Sequence, residues 1–333
     1  MHIRCGLMLV SHHTHFLISA AYNTLLCRVD DRGQETTLSN ISVGHLGDLV
    51  TTQPTLAFSN MFRRNGSQYQ DSSLVVQVVP KGIILLEWDR VSQSYQQKAI
   101  WKPVAMPERK DILPEITAAS CNSSQIAVAV AGGKVHLFNL GESDNHPNLE
   151  EWKYVSVCFI HSNACAHLFL SSFKSPVGGE VSAISCTPLD PSKPHTTSIF
   201  VAYWKSNRIE VLALDRTRVL TLEATSSGLP GVIRSILPYN FGRDASKGPD
   251  HHPYLLAGLG DGHVAAIQLK GKQLGEVKLI SMGAAPVSLI PCIVEGRKAV
   301  FAAGSRSAVL YLDKKRLANA AIMLKVGNSV FEF

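Results

Sequence analysis

The chain has 333 residues, of which 45% are hydrophobic, 17% charged and 7% aromatic, with a formal net charge of +6. That much apolar surface offsets the entropy of ordering and excludes a collagen-like, low-complexity or charge-rich disordered chain. The charged fraction lies below the ~25% of an average domain and the mean hydropathy of +0.08 is high; either the core is large for its surface, or something else covers part of that surface.

The amino terminus, MHIRCGLMLVSHHTHF, has no small-residue cleavage site after its short apolar run, so it does not read as a signal peptide. No apolar run approaches the ~18 residues of a membrane helix. The chain is expected to be soluble and intracellular, with no membrane partner. Its seven cysteines include no C-x-x-C pair and sit mostly in apolar runs, the pattern of reduced, buried thiols. Arg63-Arg64 and Lys314-Lys315-Arg316 are short basic runs that read as solvated turns.

From residue 15 onward one unit recurs: an apolar strand, a tight turn and a second apolar strand. Its copies are HFLISAAYNTLLCRV, SLVVQVVPKGIILLEW, SQIAVAVAGGKVHLFNL, SIFVAYWKSNRIEVLAL, PYLLAGLGDGHVAAIQL and KAVFAAGSRSAVLYL, beginning at His15, Ser73, Ser124, Ser198, Pro253 and Lys298. Pro80-Lys81-Gly82, Gly132-Gly133 and Asp261-Gly262 supply the backbone conformations that tight hairpins demand. The first strand of several pairs is rich in alanine (Ala127, Ala129, Ala257, Ala302, Ala303), as expected of strands crowded toward a common axis. Further strand-like runs flank the pairs: EVSAISCTPL, GVIRSILPY and APVSLIPCIV before, RVLTLEA and GEVKLIS after. Four strands per ~40–50 residues is the period of a propeller blade. The expectation is an all-β fold, a β-propeller with about six recognisable four-stranded blades of a seven-bladed ring, incomplete. It comprises one partial propeller domain over 1–333, with 1–14 a partial or displaced strand and 326–333 an atypical tail. A two-sheet sandwich fits the regular repetition less well. The inserts FRRNGSQYQDSS, GESDNHPNLEEW and NFGRDASKGPDHH read as surface loops, and DKKRLANAAIMLK as one or two helical turns or an outer strand.

No segment carries catalytic chemistry. GLGDGHV is followed by an apolar strand rather than a helix, so it reads as a hairpin turn and not a phosphate loop. His12, His13 and His15 lack a completing ligand and read as a surface run. There is no nucleophile elbow, and Asp111, Glu115, Glu150 and Glu151 read as loop residues without convergent partners. The sequons at Asn40, Asn65 and Asn122 carry no meaning in an intracellular chain. The expectation is a non-enzyme with no cofactor and no metal.

The third unit, EITAASCNSSQIAVAVAGGKVHLFNL, resembles the second propeller of the family that comprises the large subunit of the UV-damaged DNA-binding protein, a splicing factor 3b subunit and the large subunit of the cleavage and polyadenylation factor. The string from Ala119 to Gln125 is the most specific part, and its Asn-Ser-Ser-Gln favours the damage-binding member. The likeness continues through EVSAISCTPLD, GVIRSILPY and LLAGLGDGHVAAIQL, and more weakly from about residue 12 to about residue 325. The resemblance implies a fragment of a non-enzymatic adaptor of a cullin-based ubiquitin ligase, linked to the DNA-damage response and placed in the nucleus and cytoplasm. Its partners would be the cullin scaffold, the other propellers of the full-length adaptor and, through the assembly, nucleic acid. The family's cullin-facing Glu and Trp match Glu180 and Trp204. The alternative within the same family is an RNA-processing scaffold that binds nucleic acid; a propeller enzyme with its site in the central channel is a third reading.

Overall fold

The computed structural model describes residues 4–10, 13–19, 24–31, 36–40, 46–65, 68–70, 73–104, 114–143, 146–151, 173–174, 179–190, 193–214, 220–243, 248–271 and 273–322. Asp111, His12 and the tail from 326 to 333 lie outside them. Among the described residues every regular element is a strand. The chain divides into two compact units, residues 1–228 and 229–333.

The first unit holds four blades. Blade 1 is β1 (Arg4–Val10), β2 (His13–Ser19), β3 (Thr24–Asp31) and β4 (Thr36–Asn40). Blade 2 starts with β5 (Ala57–Asn60), continues through a side hairpin, β6 (Arg63–Asn65) and β7 (Gln68–Gln70), and is completed by β8 (Leu74–Val79), β9 (Gly82–Asp89) and β10 (Ser94–Trp101). Blade 3 is β11 (Ile116–Cys121), β12 (Gln125–Val130), β13 (Lys134–Ser143) and β14 (His146–Glu151), with a short β15 (Phe173–Lys174) against β13. Blade 4 is β16 (Val181–Ser185), β17 (Ser198–Tyr203), β18 (Ile209–Leu214) and β19 (Leu220–Thr225). The second unit holds blade 5, β20 (Ile233–Asn240), β21 (Pro253–Leu259), β22 (His263–Lys270) and β23 (Gln273–Ser281), and blade 6, β24 (Ser288–Val294), β25 (Arg297–Ala303), β26 (Ala308–Asp313) and β27 (Arg316–Ala321). Every blade is an antiparallel meander. The expected all-β class and six-blade count are therefore what the described residues form.

The hairpin read from sequence is the middle of each blade, its second and third strands, and not the innermost pair. The innermost strands of adjacent blades, β5 beside β11, β11 beside β16 and β20 beside β24, run next to one another. This corrects the expectation that the alanine-rich strands line the axis. Ala127 and Ala129 on β12 are fully buried between blades 3 and 4, in one cluster with Val135, Leu137, Val181, Ile199, Val201, Tyr203 and Leu212. Their neighbours Ile126 and Val128 point the other way, into the cluster that blade 3 shares with Leu74, Val76, Val78, Ile83 and Leu85 of blade 2. Side chains alternate across a strand, so a middle strand is apolar on both faces when a blade stands on each side. Small residues there let two sheets approach closely. Blades 5 and 6 repeat the arrangement through Leu256, Ala266, Val300, Ala302 and Leu310.

Two inserts expected as loops contain strands. GESDNHPNLEEW contributes the end of β13 and all of β14, with Glu150 and Glu151 paired to Asn139 and Phe138, and FRRNGSQYQDSS folds into the β6–β7 hairpin. Polar composition misleads there because an outer strand needs only one covered face. In DKKRLANAAIMLK, Lys314 and Lys315 take positive φ (45° and 64°) in a turn, and Arg316–Ala321 is the outer strand β27. Of NFGRDASKGPDHH, residues 241–243 and 248–252 form no strand, as expected, and 244–247 lie outside the described residues.

At the end where first strands turn into second strands, buried polar side chains join blades 3 and 4. Asn122 Nδ2 donates to Gln125 Oε1 (2.9 Å) and to the Cys186 carbonyl (2.8 Å), while its Oδ1 accepts from Ser124 and Gln125 amides (2.9 and 2.7 Å). Gln125, fully buried, accepts from the Thr196 amide (2.6 Å) and donates to the Thr196 carbonyl (3.2 Å). Ser124 Oγ reaches the Pro194 carbonyl at 2.8 Å, and the Cys186 amide donates to Ser120 Oγ at 3.0 Å. Burial pushes the Cys186 thiol up to about 11, and burial together with the neighbouring Cys186 raises Cys121. Cys27, Cys121, Cys186 and Cys292 are free thiols; Cys27 and Cys186 are buried, the other two half-buried. The string that carries the family resemblance is thus an inter-blade latch, and Asn122, buried in it, is no glycan acceptor. Gln77 joins blades 1 and 2 similarly, bonding Val50 twice (3.0 and 2.7 Å) and Thr55 (2.9 Å), with the Thr55 amide on Ser19 Oγ (2.7 Å).

Enlarging Ala129 to leucine forces blades 3 and 4 apart. Overpacking of this kind costs about 1–3 kcal/mol, to be read as a lower urea midpoint at unchanged slope; a neutral effect would show that the inter-blade contact is loose.

Candidate protein-interaction site on the turn-bearing rim

In an antiparallel meander the turns between second and third strands lie at the same end as the connections that lead from one blade to the next. At this end the turns of the first unit hook onto one another. The Ile116 amide donates to the Pro80 carbonyl (2.8 Å), the Ala131 amide to Glu115 (2.8 Å) and the Trp204 amide to Glu180 (3.0 Å). Within the second unit Gly260 bonds Val232 (2.8 Å), Met282 bonds Gly262 (2.7 Å) and Arg306 bonds Met282 (3.0 Å). Gly133 is held at φ 80°, and a Cβ there would stand 2.1 Å from the Gly179 carbonyl, so only glycine permits this approach.

Aligning the blades by these bonds makes Glu115, Glu180 and Val232 equivalent, one residue before the first strand, and Ala131, Trp204 and Gly260 equivalent in the turn. Each first strand then carries a bulge at its second residue: the register slips around Thr117, Ser182 and Arg234. The equivalence separates what the fold needs from what it does not. The backbone role of Trp204 is filled by alanine in blade 3 and by glycine in blade 5, so the turn itself does not require an indole, and Trp204 is 43% exposed. Glu180 does serve the fold: its exposed carboxylate accepts the Gly132 amide at 2.6 Å, pinning the blade 3 turn to blade 4. Glu180 and Trp204, singled out from sequence, stand together through their main chains.

Behind this rim Tyr203 Oη donates to Glu210 Oε2 at 2.7 Å, both residues buried. The turn Leu259–His263 is a hairpin turn as expected, with Gly262 at φ 92° and the His263 amide on Asp261 Oδ1 (3.1 Å). Among the described residues no group of three or more His, Cys, Asp or Glu is placed to hold a metal ion, and no helix is long and apolar enough to cross a membrane. His13 and His15 lie two apart on β2.

The family described as "RSE1/DDB1/CPSF1 second beta-propeller" matches residues 11–333. The chain belongs to this family. It is 26% identical to DNA damage-binding protein 1 of Oryza sativa subsp. japonica over 220 residues, which are 66% of this chain and 17% of the rice protein. DNA damage-binding protein 1b of Arabidopsis thaliana is 25% identical over 212 residues (63% and 16%), and DNA damage-binding protein 1 of Solanum lycopersicum 22% over 212 residues (63% and 16%). The chain thus matches about a sixth of the length of these curated relatives. The cations of this rim, Lys81, Lys102, Lys134, Lys205 and Arg208, are scattered along the chain and gathered only by the fold; aligning EIT, EVS and VIR across blades would have revealed the Glu115–Glu180 equivalence.

Replacing Glu180 by alanine leaves the Gly132 amide to water and costs about 1 kcal/mol or less at so exposed a site; glutamine, which keeps an acceptor oxygen, restores most of it. Trp204→Ala changes stability by less than about 1 kcal/mol. Urea denaturation of the three variants checks this, and a loss beyond about 2 kcal/mol for Trp204→Ala would make the indole a packing residue.

Proposed function

We propose that this chain is a non-enzymatic propeller scaffold that docks a cullin, as part of an adaptor of a cullin-based ubiquitin ligase acting in the DNA-damage response in the nucleus and cytoplasm. Membership of the family and the curated relatives named for DNA damage binding support the scaffold role. The observation that carries the docking assignment is Trp204: a large, part-exposed aromatic where the equivalent turns of blades 3 and 5 have alanine and glycine. A Trp flanked by a carboxylate on a rigid rim is the composition of a protein-interface hot spot. Glu180, fixed by Gly132, supplies that carboxylate with little conformational freedom left to lose. Other propellers of the full-length adaptor, and nucleic acid reached through the assembly, complete the expected partners.

The purified chain is expected to bind a cullin amino-terminal domain, and the Glu180→Ala/Trp204→Ala double variant to lose at least tenfold in affinity by biolayer interferometry while remaining folded. Equal binding by the double variant would remove these residues from the interface.

A further inference from the structure

On the rim of blades 2 to 4, five cations are gathered from separate stretches of sequence. Lys81 occupies the β8–β9 turn, Lys134 opens β13, and Lys205 and Arg208 flank the β17–β18 turn beside Trp204. Lys102 follows β10, and a Cβ placed on Gly82 would meet its side chain at 3.6 Å, so it lies against the Lys81 turn. All but Lys134 are exposed, and Lys134 is half-buried. The hydrogen bonds from Pro80 to Ile116, Glu115 to Ala131, Gly132 to Glu180 and Glu180 to Trp204 make these turns one continuous surface. Among the described residues two carboxylates share it, Glu115 and Glu180, and that of Glu180 accepts the Gly132 amide. Salt bridges elsewhere among the described residues use Lys98, His252 and His263, and none uses these five. Among the described residues five cations thus stand against two carboxylates, and a net positive cluster of this kind repels itself and costs stability unless a partner neutralises it. Apolar anchors stand within it, Trp204 (43% exposed) and Val104 (69%).

We infer that the rim of blades 2 to 4 is an electrostatic docking surface for an acidic protein segment, whose carboxylates meet Lys81, Lys102, Lys134, Lys205 and Arg208 while an apolar side chain meets Trp204. The inference deepens the docking reading by giving the partner's chemistry: the cullin segment seated here is net acidic. Among the described residues Trp204 is the one large exposed aromatic, and this favours a folded or helical protein segment over single-stranded RNA, which stacks its bases on several aromatics. Complementary charge acts mainly on the rate of association and on its salt dependence.

The test is association of the chain with a cullin amino-terminal domain at 50 and 500 mM NaCl, for the wild type, for Lys81→Glu/Lys134→Glu/Lys205→Glu and for Trp204→Ala. A labelled 20-residue peptide of Glu, Asp and Leu and a uridine 20-mer RNA serve as separate probes. The wild type is expected to bind cullin at least tenfold faster at low salt, the charge-reversed variant to lose that advantage at an unchanged melting temperature, and Trp204→Ala to weaken binding while keeping the salt dependence. Cullin binding that ignores both salt and charge reversal would overturn the acidic-segment inference and leave the docking reading standing. Absence of cullin binding with charge-dependent capture of the acidic peptide would do the reverse, and absence of both would overturn both. Tighter charge-dependent binding of the RNA than of the acidic peptide would overturn the inference in favour of nucleic acid.

Discussion

The fold depends on the latch formed by Asn122 and Gln125. Hydrophobic contact between blades is large but non-directional, and flat sheets of alanine and valine have several ways to slide. Asn122 uses both of its amide hydrogens and accepts two bonds on its oxygen, and Gln125 binds both backbone polar groups of Thr196. Because these groups are buried, every alternative register leaves them unsatisfied at about 1–3 kcal/mol each. The latch therefore fixes which residues of blades 3 and 4 face one another. The same solution recurs with different residues: Gln77 and Thr55 between blades 1 and 2, and Asn240 holding the Gly242 and His252 amides in blade 5.

With one end latched, the opposite end of blades 3 and 4 is positioned as well. The rim is a chain of backbone bonds running from Pro80 to Trp204, closed by the Glu180 carboxylate on Gly132 and by the glycine-to-glycine approach of Gly133 and Gly179. A scaffold has no reaction to accelerate; what it contributes is a surface that does not need to reorganise on binding. That logic gives Glu180 a definite part in the fold, the acceptor that holds the Gly132 amide, and leaves the docking roles of Glu180 and Trp204 to the proposal above.

Most of the architecture was legible in the sequence because blades repeat and because middle strands, buried on both sides, announce themselves as apolar runs such as IAVAV of β12. Their place within the blade was not legible. Alanine-rich strands signal close packing, but sequence does not say whether the neighbour is an axis or an adjacent sheet, and here Ala127 and Ala129 face blade 4. Outer strands such as β14 were missed for the opposite reason, since one covered face imposes too few apolar residues to be read. Of the site, Glu180 and Trp204 came from resemblance, and the geometry adds that they meet through main-chain bonding. The cationic rim is invisible in sequence, where its five members are spread from 81 to 208. Inter-blade burial accounts for part of the high hydropathy, since both faces of middle strands such as β8 and β12 count as core.

The central claim is that buried amide hydrogen bonding at Asn122–Gln125 holds blades 3 and 4 in register. Native-state hydrogen exchange of Gln125→Ala against the wild type tests it most directly. Loss of the latch is expected to lower the opening free energy of β11, β12, β16 and β17 together by about 2 kcal/mol, or roughly 30-fold faster exchange, while β20 to β22 keep their protection. Unchanged protection in blades 3 and 4, or an equal loss across all blades, would contradict it.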